Sequence, residues 1–164
     1  MSLALLDHAL DICAKHLDAS NARNTEIEAY LTRYLVTLVC AVFEEEFEKI
    51  IARRVLLVND QHLANFVIAA THQLLRSPKI SELSGFLGKF GAECKESFST
   101  KITNTTAHQA FDTIVQNRHT AGHQGGTALQ ITFTELTQLL KDSRGILDAF
   151  AESLGLPVPG NTPP

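Results

Sequence analysis

Tryptophan is absent from the chain, methionine occurs once, tyrosine twice, and aromatic residues make up only 7%. A core must therefore be assembled from Leu, Ile, Val, Ala and the nine Phe, the material of helical packing. Charge of one sign is also in short supply: 18 acids stand against 14 bases, a formal net charge of -4. That balance excludes wholesale electrostatic wrapping of a polyanion, so any nucleic-acid contact has to be local. No apolar run approaches the ~20 residues of a bilayer span. The longest, over residues 34–43, contains Thr37, which predicts a core segment and no membrane partner. A basic stretch ahead of an apolar one is missing at the start, and Asp7 and Asp11 interrupt the early apolar positions, which does not fit a signal peptide. Cys13, Cys40 and Cys94 are odd in number and far apart, excluding a disulfide frame and zinc-finger spacing. They point to a reducing, cytoplasmic location.

What is present is helical periodicity. The 164 residues suffice for one buried core. Leu3, Leu6, Leu10, Cys13 and Leu17 recur at intervals of three and four, which predicts an amphipathic first helix over about 2–19. After a polar break at 21–24, Thr25 and Glu28 have the spacing of a capping box. Neither Gly nor Pro occurs between residues 26 and 58, so a second helix of about 30 residues follows, bent or broken near Arg53. Asp60 can cap a third helix through Leu75, ended by Ser77-Pro78. Residues 79–98 read as one or two shorter helices, and the Ser/Thr/Asn-rich stretch 97–106 as a loop. A fourth main helix is expected over 106–122, a turn at Gly125-Gly126, and a last helix over 133–154 opened by a Thr132/Glu135 box. The expected architecture is an all-α, single-domain bundle of five or six helices over residues 1–155, with a flexible Pro/Gly-rich tail over 156–164.

The chemically informative segment is Asn117-Arg118-His119-Thr120-Ala121-Gly122-His123, near the end of that fourth helix. Phe111, Ile114, Val115, Arg118 and Gly122 share one stripe, so Arg118 continues an apolar line and is expected to pack inward, where a guanidinium requires a partner or a ligand. His119 and His123 are neighbours one turn apart on the adjacent face, with Asp112 and then His108 on the same stripe. Arg118 and His123 differ by about 140° around an ideal helix. A long Arg side chain and a helix end loosened by Gly122 let both reach one cleft.

This segment resembles the signature of the HEPN superfamily of helical nucleotide-binding domains: an Arg, a polar residue, a few more residues, then His. Arg118, His119 and His123 match it, with four residues between the Arg and the final His. The signature lies late in a late helix, ahead of a Gly-bearing turn and a closing amphipathic helix. The run Tyr34 to Glu44 in the long second helix resembles the RiboL-PSP branch. The resemblance implies a homodimer that sets two such helices side by side, giving a composite cleft with two Arg and two His. It also implies metal-independent endoribonuclease activity, without a cofactor, in a toxin–antitoxin or phage-defence setting. A separate antitoxin is then implied. Other members keep the fold without the activity and act as nucleotide- or RNA-binding modules, some beside a nucleotidyltransferase partner.

The residue types suit metal-free RNA cleavage. The 2'-hydroxyl must lose a proton, the leaving oxygen must gain one, and negative charge on phosphorus must be stabilised. Histidine does the first two near neutral pH, and a forked guanidinium does the third. The expected roles are phosphate binding for Arg118, general acid or base for His123, and positioning for His119, with Asn117, Gly122 and Glu44 in support. Simpler readings stand beside these. Arg118 can be a structural ion-pair partner of Glu44, Glu45, Glu46 or Glu48. The HxxxH pair can hold a metal, although no third ligand beyond Asp112 or His108 is apparent and no metal is expected. The acid run itself reads most simply as a solvated face.

Overall fold

The structure is a computed structural model that describes residues 3–75, 78–123 and 131–158, with backbone alone at Gln73 and at 121–123. The described residues form eight α-helices: α1 (Leu3–Ala19), α2 (Glu26–Leu56), α3 (Gln61–Leu74), α4 (Ile80–Leu87), α5 (Ala92–Ile102), α6 (Thr106–His123), α7 (Phe133–Ser143) and α8 (Gly145–Ser153). The all-α expectation holds. No helix among the described residues is long and apolar enough to cross a membrane.

α2 is the axis of the bundle. Its 31 residues run unbroken past Arg53, where the sequence suggested a bend or break. The reason is enclosure: α2 packs against α1, α3, α6, α7 and α8, so apolar side chains are wanted on nearly every face. Leu35, Val36, Val39, Val42, Phe43, Phe47, Ile50 and Ile51 are all buried. Phe47 is the hub, with ring centroids 4.9 Å from Phe150 of α8 and 6.1 Å from Phe111 of α6, while Phe98 of α5 lies 6.0 Å from Phe150. Edge-to-face contacts of this kind add to the area term and tie four helices to one centre.

The connections follow local rules. Asn21 and Asn24 between α1 and α2, Asn59 before α3 and Asn104 before α6 all have φ between 50° and 59°, the left-handed region that asparagine tolerates. Asp60 caps α3 by accepting from the Leu63 amide at 3.0 Å. Thr132 and Glu135 form the reciprocal capping box expected at α7. Arg144 and Asp7 are paired, joining the α7–α8 junction to α1.

Three expectations here require correction. Among the described residues the helices number eight, not five or six, partly because the single helix expected over 133–154 divides at Arg144-Gly145. There Arg144 turns to Asp7, and Gly145 lies so close to α6 that a Cβ would sit 3.4 Å from the Ala107 methyl. The 79–98 stretch forms two helices, within the one or two expected, dividing at Gly91, whose φ of +150° suits glycine. The loop expected over 97–106 shrinks to 103–105, because burial of Phe98 and Ile102 outweighs the competing hydroxyls.

The third correction concerns Glu28. Thr25 makes no side-chain cap; its hydroxyl donates to the Ala22 carbonyl. Glu28 is 6% exposed and accepts from two backbone amides, Asn24 at the start of its own helix and Phe133, 105 residues on, at 3.1 Å. It therefore staples the first turn of α2 to the first turn of α7. Glu28→Ala should cost about 1–3 kcal/mol, the penalty of orphaning buried donors, while Glu28→Gln retains part of it by keeping one acceptor oxygen. Denaturant midpoints of the two variants check this; equal midpoints for Glu28→Ala and the parent would contradict the staple. Leu156 reaches back into the core, its backbone N–H donating a hydrogen bond to the Ala151 carbonyl at 3.0 Å, and residues 159–164 of the expected tail lie outside the described residues.

Candidate functional site on α6

α6 starts where the Thr105 hydroxyl accepts from the His108 amide at 3.2 Å. Ala110, Phe111, Ile114 and Val115 are buried and seat the helix on α2, α7 and α8. Beyond Val115 the stripe changes character. Arg118 does not sink fully inward: its side chain is 33% exposed, and Nη1 lies 3.8 Å from Oε1 of Glu44, itself 22% exposed. At that separation the two charges attract without a close hydrogen bond. Asn117 is the polar side chain that is truly buried, at 3% exposure, donating from Nδ2 to the Thr113 carbonyl at 2.9 Å.

The expectation of an inward Arg118 is thus half right. Its methylenes cover apolar surface while the guanidinium stays in reach of water. Of the acid run, Glu44 turns to Arg118, Glu45 and Glu46 lie 3.4 and 2.9 Å from the Lys49 ammonium, and Glu48 lies 2.8 Å from His72 Nδ1. The run is therefore not merely solvated: its four acids face three partners, Arg118, Lys49 and His72, of which Arg118 is the candidate phosphate binder. Beneath the Arg118–Glu44 pair lies Cys40. Burial pushes its thiol up to about 12, Arg118 acting to lower it and Glu44 to raise it. Cys40 is thus a neutral floor and not a nucleophile at neutral pH.

His119 is half-buried one position on. The α6 backbone continues through Gly122 to His123, but the His123 side chain and the Gly125-Gly126 turn lie outside the described residues. The structure accordingly brings Arg118 and Glu44 together, places Asn117 along the groove of α4, α5 and α6, and leaves the approach of His123 to Arg118 undescribed. The His108 and Asp112 side chains pair at 3.3 Å, two turns before the histidine pair. Among the described residues, no group of three or more His, Cys, Asp or Glu is placed to hold a metal ion.

The family model for RiboL-PSP-HEPN matches residues 5–155, nearly the whole helical domain. The chain belongs to the RiboL-PSP-HEPN family. No curated protein and no solved structure matches it. HEPN membership makes it a nuclease- or RNA-related helical module and accounts for the all-α bundle.

Sequence reasoning missed one feature of this HEPN domain. Between α4, α5 and the outer side of α6 runs an open groove of about 700 Å³, reached by Lys79, Ser84, Ser99, Thr103, Asp112 and Gln116. The only signal for it was the polar stripe of α6. Which helices would wall that stripe is decided by long-range packing, and no local pattern reports it.

Proposed function

We propose that the chain is a metal-independent endoribonuclease that cuts single-stranded or loop RNA by attack of a ribose 2'-hydroxyl on the adjacent phosphate. Arg118 carries this reading. It is a one-third-exposed guanidinium on an otherwise apolar stripe, backed by a neutral floor and held by a long ion pair that a phosphate can displace. Its fork would bind the non-bridging oxygens and offset the charge that grows on phosphorus. His123 would take the 2'-hydroxyl proton or supply one to the departing 5'-oxygen, and His119 would position the strand. The 2'-oxygen–phosphorus bond forms as the phosphorus–5'-oxygen bond breaks, leaving a 2',3'-cyclic phosphate and a 5'-hydroxyl. In a homodimer two copies of α6 would share the cleft, so that acid and base need not come from one chain. A cytoplasmic toxin or phage-defence role, restrained by an antitoxin, is the setting that fits such an activity.

A second reading is a catalytically inactive HEPN module that binds nucleotides or RNA, alone or beside a nucleotidyltransferase. One observation favours it: Glu44 already faces the guanidinium and competes with phosphate for it. Cleavage of a single-stranded RNA by the parent and by His123→Ala separates the two. The nuclease reading expects a fall of about 10²–10⁴-fold, the usual contribution of a positioned acid or base. Undiminished cleavage would remove His123 from the mechanism, and binding without turnover in the parent would select the module.

A further inference from the structure

The groove beside α6 has a chemistry of its own. Its floor is apolar, formed by Ile80, Ile102 and Val115, while its walls carry the hydroxyls of Ser84, Ser99 and Thr103, with the two serine oxygens 3.4 Å apart. Asp112 enters from α6 with its side chain 49% exposed, steadied by His108 at 3.3 Å. An apolar floor for a flat ring, hydroxyls for a sugar and one ionised acceptor at the edge form a set that suits a nucleoside. Lys79 at the rim can meet a phosphate.

The groove is also aligned with the candidate cleavage site. Positions 108, 112, 116, 119 and 123 follow one another at spacings of four, four, three and four, so they share one stripe of α6. The wall of the groove thus leads directly to the two histidine positions, with positions 112 and 119 about 10 Å apart along the axis. A strand lying on this stripe with its phosphate at the helix end places a neighbouring base in the groove.

We infer that this groove is a base-reading subsite for guanine, with Asp112 as the specificity-determining residue, for a nucleotide neighbouring the cleaved bond. The inference deepens the RNA-cleaving reading and rests on it. An ionised carboxylate only accepts hydrogen bonds. The Watson–Crick edge of guanine offers two adjacent N–H donors, matching its two oxygens. Adenine and cytosine set each amino group beside an acceptor that a carboxylate repels, and uracil offers one N–H between two carbonyls.

Titration of the full-length, isotope-labelled chain with GMP, AMP, CMP and UMP, followed by amide NMR, tests this directly. GMP should shift the amides of Ser84, Ser99, Thr103 and Gln116 and bind roughly tenfold tighter than the other three, the discrimination expected of one bidentate pair. Asp112→Asn, an exposed change that does not touch the core, should erase that preference. Ser81 also lines the groove and is exposed at its rim, so Ser81→Trp should weaken all four nucleotides together. Equal affinity of the parent for all four, or no shift at these amides, would overturn the inference. RNA cleavage by the same preparation separates the two claims. Cleavage without groove shifts rejects the subsite and spares the nuclease, whereas guanine-selective groove shifts without cleavage support the subsite as a nucleotide site and reject the nuclease.

Discussion

Arg118→Ala should lower RNA cleavage by about 10²–10³-fold, the loss seen when one preorganised charge-stabilising donor is removed, and should leave folding nearly untouched. The two halves of this expectation have separate physical grounds. Arg118 is one-third exposed and its pair with Glu44 spans 3.8 Å, so its loss from the folded state falls in the range of surface ion pairs, about 0–1 kcal/mol. In the transition state the same guanidinium would face a doubly charged phosphorane in a partly dry cleft, where attraction is far stronger. Arg118→Lys keeps the charge but loses the planar fork, so it should restore only part of the rate, acting mainly on kcat. Single-turnover cleavage measured beside thermal melting checks the expectation. A large drop in melting temperature with unchanged cleavage would make Arg118 a structural ion-pair residue instead.

The largest effect on stability should come from Phe47→Ala. This ring is fully buried and contacts Phe43, Phe111 and Phe150, so its removal opens a cavity at the point where α2, α6 and α8 meet. Truncations of this kind cost about 3–5 kcal/mol, a large share of the ~5–15 kcal/mol that holds a typical domain together. Melting should fall by roughly 6–20 °C, at about 2–4 °C per kcal/mol for a chain of this size. Phe47→Leu, which keeps most of the volume, should lose much less. Because α6 carries Arg118, cleavage by Phe47→Ala should decline together with its folded fraction as temperature rises. A melting temperature within 2 °C of the parent would show that the aromatic centre is not where the bundle is held.

Both expectations depend on how the chain encodes its parts, and the parts differ in legibility. α1, α3, α6 and the start of α7 were readable from spacing and caps, because the stripes and the Asp60 and Thr132/Glu135 signals act within a few residues. The break at Gly145 was hidden, since it reflects the approach of Ala107 from another helix. Glu28 looked like a local cap and proved to reach an amide 105 residues away. The same limit applies at the site. Sequence spacing put Arg118 on the apolar stripe, but the choice between burying Asn117 and burying Arg118 depends on α2 supplying Cys40 and Glu44 beside α6. The groove is the extreme case, because its walls come from three helices whose mutual arrangement is set by tertiary packing alone.

The most direct test is to incubate the purified chain with a defined single-stranded RNA in excess EDTA and analyse the product ends by mass spectrometry. Metal-free attack by the 2'-hydroxyl predicts fragments that end in 2',3'-cyclic phosphate and begin with a 5'-hydroxyl, formed at the same rate with and without the chelator. Intact RNA, or cleavage that stops in EDTA and leaves 5'-phosphates, would contradict it.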